Sequence, residues 1–499
     1  MRITRVLASS VLVLLLAATG VWEGARAASR PSITATIQWF FDATGLIATR
    51  DANGPTDQSK NPFFQSLGTN GRSCGTCHDA AQAMSITPAA AQLRYLATRG
   101  ADPLFASVDG ANCPDVRPGD RAGHSLLLKH GLIRVGVTLP AKPEFTIKVA
   151  RDPYGCALRR DPSTGLLTVS VYRRPLPSTN LGFLSAVMWD ARETVSPLAS
   201  GDTFQDNLRA DLTQQAIDAT LGHAEAAHAP TKAQLNAIVD FELGLTSAQA
   251  IDYAAGLLDA AGASGGPVHL AEQAYYPGIN DSLGEEPKGL VFNPEAMQLF
   301  SAWEQLSPRR FFDFQQQARA DIAAGEKLFN TAPLTIANVR GLSDSDKLGR
   351  PTTLTGTCTS CHDTPNVGNH SLPVPLDIGT AHSTLRGTES DPSIAAALAE
   401  LSMPDLPVFL IQGCANPFDS GQPASFYTTD PGRALITGQC SDFDRLKGPI
   451  LRGLAGRAPY FHNGAAADLD ELVSFYNERF QMDLTKTQKR QLVAFLNAL

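Results

Sequence analysis

Apolar and polar positions alternate with a helical rhythm most clearly near the C-terminus. Asp468 and Glu471 predict a capping box, and Leu469, Leu472, Val473, Tyr476 and Phe480 follow at helical spacing. Thr485 with Gln488 opens a second helix, whose Leu492, Val493, Phe495, Leu496 and Leu499 make one apolar stripe. Helical composition also runs from Leu208 to Ala227, from Thr231 to Leu257 and from Arg319 to Asn330. Between Asp102 and Arg174 the period changes. The runs Phe145-Thr-Ile-Lys-Val149 and Leu167-Thr-Val-Ser-Val-Tyr172 alternate and are β-branched, with turn signals at Asp152-Pro153 and Asp161-Pro-Ser-Thr-Gly165, so a small β-containing insertion is expected. Thr36 to Gly71 holds only apolar and Gly-rich patches. Gly262 to Pro294, rich in Gly, Pro and Asn, reads as the connection between two halves, and Gly341 to Pro351 as a loop.

One apolar run differs from the rest. Val6 to Val21 follows Arg2 and Arg5 and precedes Ala25-Arg26-Ala27, which is the pattern of a cleaved secretory leader over residues 1–27. It is short for a membrane span, and no later stretch approaches the roughly 20 apolar residues that a span needs. An exported, periplasmic protein without a stable membrane anchor is therefore expected. A hydrophobic fraction of 43% excludes wholesale disorder, and 499 residues suggest two or three domains at about 150 residues each. The net charge of −8 speaks against nucleic acid, whose phosphates demand a basic face.

The eight cysteines sort into two kinds. Cys74-Gly-Thr-Cys77-His78 and Cys358-Thr-Ser-Cys361-His362 are two C-x-x-C-H sequences, the pattern of c-type haem attachment: two thiols add to the porphyrin vinyl groups, and the adjacent histidine binds iron. One such match would also suit a redox dithiol or half a zinc site. Two in an exported chain, each with histidine directly after the second cysteine, favour haem. Cys113, Cys156, Cys414 and Cys440 form an even remainder, which reads as disulfides in an oxidising compartment. Three pairings are possible, and Cys113 with Cys156 and Cys414 with Cys440 close the most local loops.

The two attachment sites are separated by Met188-Trp-Asp-Ala-Arg192. They are followed by Leu446-Lys-Gly-Pro-Ile-Leu-Arg-Gly-Leu-Ala-Gly-Arg-Ala-Pro-Tyr-Phe-His-Asn-Gly464. In these features the chain resembles the bacterial dihaem cytochrome c peroxidases and their relative MauG. The resemblance covers most of the chain after the leader, except the 102–174 insertion and an expansion around Cys414 to Cys440. It implies a mainly α fold of two cytochrome c-like haem domains, with a peroxidatic haem in residues 28–270 and an electron-transfer haem in residues 295–499. It also implies two covalently bound haem c groups, His78 and His362 as proximal iron ligands, and Trp189 between the haems.

The same resemblance proposes distal residues. Fourteen positions beyond His462 the peroxidases carry methionine and MauG carries tyrosine; this chain has Tyr476, with Met482 as a nearby alternative ligand. A tyrosine oxyanion favours ferric and higher oxidation states. Tyr476 also fits its helical stripe as plain core. At the first haem, Gln215 to Glu225 corresponds to the distal segment and puts Glu225 at the distal acid, with Ala219 where the family has proline. His223 and His228 lie close by, and Glu225 and His228 are three apart, the spacing of a shared helical face. A carboxylate or imidazole here would carry a proton between the two peroxide oxygens. His124 and His130 occupy the interval of a loop histidine that some peroxidases use as a resting ligand, and His462 is expected near the haems. The family's interdomain calcium uses an asparagine and main-chain carbonyls. Arg174 stands at the asparagine position, while carbonyls from about Arg457 to Pro459 remain, so Ca2+ is left as an open third cofactor.

The function implied is a haem peroxidase or oxidase taking electrons from a small donor cytochrome c or cupredoxin, or from a protein substrate, as a monomer or homodimer. The alternative is a non-catalytic dihaem electron carrier, which would lack a labile coordination position at the first haem.

Overall fold

The computed structural model describes residues 36–117, 119–194, 203–306, 313–381, 403–415 and 423–499; the leader expected over 1–27 lies outside them. The first half carries strands β1 (Ile37–Phe41), β2 (Gly45–Asp51), β3 (Ile133–Thr138), β4 (Thr146–Arg151), β5 (Leu158–Arg160), β6 (Leu167–Arg173), β7 (Leu245–Asp252) and β8 (Gly256–Leu257). The second carries β9 (Leu334–Ile336), β10 (Leu354–Gly356), β11 (Val408–Ala415) and β12 (Pro423–Thr428). The longer helices are α1 (Pro88–Thr98), α2 (Phe204–Gly222), α3 (Lys232–Gly244), α4 (Phe314–Thr331), α5 (Leu469–Arg479) and α6 (Lys486–Asn497). Helix makes up 32% and strand 17%, so the expected mainly α fold becomes a mixed one with several small sheets.

The C-terminal helices form as their sequence predicts. The Asp468 side chain accepts from the Glu471 amide at 2.9 Å, and Thr485 with Gln488 makes a reciprocal capping box. Leu492, Phe495 and Leu496 of α6 are buried against α4, at about 1.5–3 kcal/mol for each such side chain. The two helices approach backbone to backbone at Gly325, where an added Cβ would lie 1.9 Å from the Gln491 carbonyl oxygen.

Two segments depart from the sequence reading. Thr231 to Leu257 is not one helical stretch: α3 ends at Gly244 and the chain continues directly into β7. Leu245 through Ala250 are buried on both faces, so the run shows no alternation, and its Ser and Ala content imitates a helix. Its partner β2 forms a hairpin with β1, closed by Asp42, whose Oδ1 accepts from the amides of Thr44 at 2.7 Å and Gly45 at 2.8 Å.

The 102–174 insertion does contain strands, but it does not stand alone. β4 pairs antiparallel with β11, so one sheet runs β12-β11-β4 and joins the insertion to the C-terminal expansion. A second sheet, β3-β6-β5, packs with it around Val137, Phe145, Ile147, Val169, Val171, Phe409, Ile411 and Phe443. The Cys113–Cys156 and Cys414–Cys440 disulfides both form, as expected, one from each of the two segments. At the end of β6, buried Arg173 donates to Asp190 at 2.5 Å and to Asp430 at 2.6 Å, tying the Met188–Arg192 segment to this β unit. Elsewhere too the halves share cores: Ala255 and Leu258 pack with Trp303 and Phe495, and Leu181 and Val187 with Val367 and Ile450. Among the described residues no helix is long and apolar enough to cross a membrane.

Candidate active site

The two C-x-x-C-H sequences fold into the same local structure. Residues Cys74–Thr76 and Cys358–Ser360 each make one helical turn, closed by a reciprocal cap between Ser73 and Thr76 and between Thr357 and Ser360. Each histidine ring is then anchored by a carbonyl six residues on: His78 Nδ1 lies 3.0 Å from the Met84 oxygen, and His362 Nδ1 lies 2.6 Å from that of Gly368. A carbonyl only accepts, so Nδ1 carries the hydrogen and Nε2 keeps its lone pair. Both anchoring residues have positive φ, which turns the carbonyl back toward the ring. Burial pushes His78 down to about 4 and lowers His362, so both are neutral imidazoles suited to a metal. Burial also pushes Cys358 and Cys361 up to about 12, unlike the depressed thiols of dithiol oxidoreductases.

Each turn opens on its own cavity. The first, about 1460 Å³ including its mouth, is lined by Cys74, Cys77 and His78; the second, about 1580 Å³, by Cys358, Cys361 and His362. Arg174, Pro175, Leu176, Pro177, Trp189, Lys447 and Ile450 line both, and so form a common wall. Within that wall the Trp189 indole donates to the Arg174 carbonyl at 2.8 Å, and its ring meets His462 edge-on at 6.2 Å. Burial pushes Lys447 down to about 7 and, with Arg457 beside it, Arg174 down to about 9. Among the described residues neither pairs with a carboxylate. Paired thiols, a free imidazole nitrogen and buried cations lacking an anion fit a covalently attached haem with its propionates.

The distal residues expected at the first haem separate in space. Helix α2 ends at Gly222, so Glu225 and His228 lie beyond it rather than on a shared helical face. Both are exposed and outside the cavity lining, and the Glu225 carboxylate accepts from Asn70 at 3.0 Å. His223 lines the cavity. Its Nδ1 is hydrogen-bonded to buried Asp109, whose other oxygen is paired with buried Arg72. Burial alone would raise the Asp109 pKa, but Arg72 and His223 hold it below the usual carboxylate range. The ionised Asp109 accepts from the Nδ1 hydrogen, which makes Nε2 the ring nitrogen left to exchange a proton. Sequence reading missed Asp109 and Arg72. It also missed Glu242, a cavity-lining carboxyl that burial pushes up to about 8.

In the second cavity Tyr476, Met482 and His462 all line the wall. Tyr476 stacks on Phe480 at 5.7 Å, and burial raises its pKa. His124 is buried beside Phe105 and His130 sits near Asp405; neither lines either of these two cavities.

No family model matches the chain. It is 33% identical over 152 residues to cytochrome-c peroxidase IdrP2 of Denitromonas iodatirespirans, covering 29% of this chain and 36% of that protein. It is 35% identical over 81 residues to cytochrome-c peroxidase IdrP1 of the same organism, covering 14% and 22%. Against cytochrome c551 peroxidase of Nitrosomonas europaea it is 32% identical over 88 residues, covering 17% and 25%. The matches span little more than a third of those relatives' length at most. Over these stretches the chain is similar to bacterial cytochrome-c peroxidases.

Proposed function

We propose that the chain is an exported, periplasmic dihaem peroxidase that reduces hydrogen peroxide at the first cavity, with two electrons and two protons per peroxide giving two waters. The observation that carries this reading is the pair of C-x-x-C-H cavities meeting at a wall that contains Trp189. Bound haem would supply the iron that takes peroxide and the store of oxidising equivalents. The chain supplies the rest. His78 and His362, each held at Nδ1, would present Nε2 to the two irons. His223 accepts the proton from one peroxide oxygen at Nε2 and returns it to the other, while Asp109 and Arg72 hold the ring and its charge. The His223 side chain is 39% exposed, so its proton exchanges with solvent. Trp189 links the cavities, and electrons arrive from a small donor cytochrome c or cupredoxin. A MauG-like oxidation of a protein substrate is the second reading, favoured by Tyr476 in the second cavity.

Stoichiometric peroxide added to the purified protein tests the proposal, followed optically and by Mössbauer spectroscopy. Oxidation of both haems is expected. Two six-coordinate low-spin haems that peroxide leaves unchanged would instead identify an electron carrier. Tyr476→Phe and Met482→Leu then separate the two candidate ligands: the Tyr476 variant is expected to change the second haem's spectrum and the Met482 variant to leave it as it was. The reverse outcome moves ligation to Met482.

A further inference from the structure

Arg174 occupies the seam where the resemblance expects a calcium ion, and the surroundings do not suit that ion. Calcium takes 6–8 oxygen ligands and brings two positive charges. Here the carbonyls are already taken. Arg174 Nη1 donates to Gly131 at 3.1 Å and to His130 at 3.3 Å, and Nη2 to Arg457 at 3.0 Å. The guanidinium reaches them because residue 131 has no side chain: a Cβ on Gly131, whose φ is +62°, would lie 1.8 Å from Nη1. Arg174 is itself 5% exposed.

The charge that the chain itself places at the seam is also of the wrong sign for a metal. Arg457 is a second buried guanidinium, donating to the carbonyls of Gly453, Ile450 and Arg452. Among the described residues no carboxylate forms an ion pair with either arginine. A divalent cation would have to displace one guanidinium and sit against the other.

We propose that Arg174 is a tethered cation doing the work of a bound metal: it ties the Gly131 turn of the first half to the Arg457 turn of the second, and the seam takes up no calcium. The arrangement swaps an exchangeable ion for a covalently attached one, so the tie cannot be removed by a chelator.

The test uses the intact haem-loaded protein. After incubation with calcium and desalting, elemental analysis is expected to find no stoichiometric calcium, and the melting temperature is expected to be the same in calcium and in EGTA. Arg174→Asn is expected to melt at least about 2 °C lower in EGTA, with Arg174→Lys between it and wild type. One retained calcium per wild-type chain, or a melting temperature that EGTA lowers, overturns the proposal. So does an Arg174→Asn variant that melts like wild type in EGTA. If Arg174→Asn does not fold, the wild-type metal content and EGTA comparison decide alone.

Discussion

His223→Ala will slow the reaction of the first haem with peroxide by about 10²–10⁴-fold, the usual worth of a positioned acid-base group. Haem attachment should be intact, because alanine keeps the backbone contacts of residue 223, whose amide closes α2 and whose carbonyl accepts from Asn70 at 2.8 Å ahead of the Cys74–His78 turn. Asp109→Asn will cost less, about tenfold, since an amide still fills the space but no longer fixes the Nδ1 hydrogen. If the two act as a couple, Asp109→Asn adds little on top of His223→Ala; additive losses would mean separate roles. Glu225→Gln is expected to change the rate by less than about threefold, because its exposed carboxylate is already engaged by Asn70. Stopped-flow traces of peroxide oxidation distinguish these outcomes. A rate unchanged in His223→Ala and lost in Glu225→Gln would transfer the role to Glu225.

Trp189→Phe will uncouple the two cavities. Peroxide should still react at the first site, while donor-supported turnover falls by about tenfold, equivalent to ~1.4 kcal/mol of barrier. The phenyl ring keeps most of the packing but loses the indole hydrogen bond to the Arg174 carbonyl. Freeze-quenched samples provide the check: oxidising equivalents should stay at the first haem in the variant and reach the second in wild type. Equal distribution in both would remove Trp189 from the path.

Much of this site can be read from sequence because its decisive parts are local. A C-x-x-C-H turn needs only five adjacent residues, and its cap and histidine anchor lie within ten positions. The C-terminal helices and the two disulfides are local for the same reason. What sequence hides are contacts between distant segments. Asp109 sits in an ordinary Val108-Asp-Gly110 turn, and nothing nearby indicates that it reaches His223. β7 is hidden differently, since burial on both faces erases the alternation that would mark it as a strand. The pairing of β4 with β11 is hidden because the two strands lie in distant segments and neither specifies its partner.

In the exported protein proposed above, that pairing would set an order for assembly. A chain delivered N-terminus first presents β4 with its hydrogen-bonding edge open until Val408–Ala415 follows, well after both C-x-x-C-H turns have emerged. Charged Lys148 on the exposed face of β4 is the kind of residue that discourages wrong partners in that interval. If the proposed dihaem reading holds, the eight cysteines are meanwhile sorted by two competing chemistries, four oxidised in pairs and four kept reduced for attachment. A strain weak in disulfide formation should therefore accumulate protein that carries haem but is sensitive to protease in the β unit.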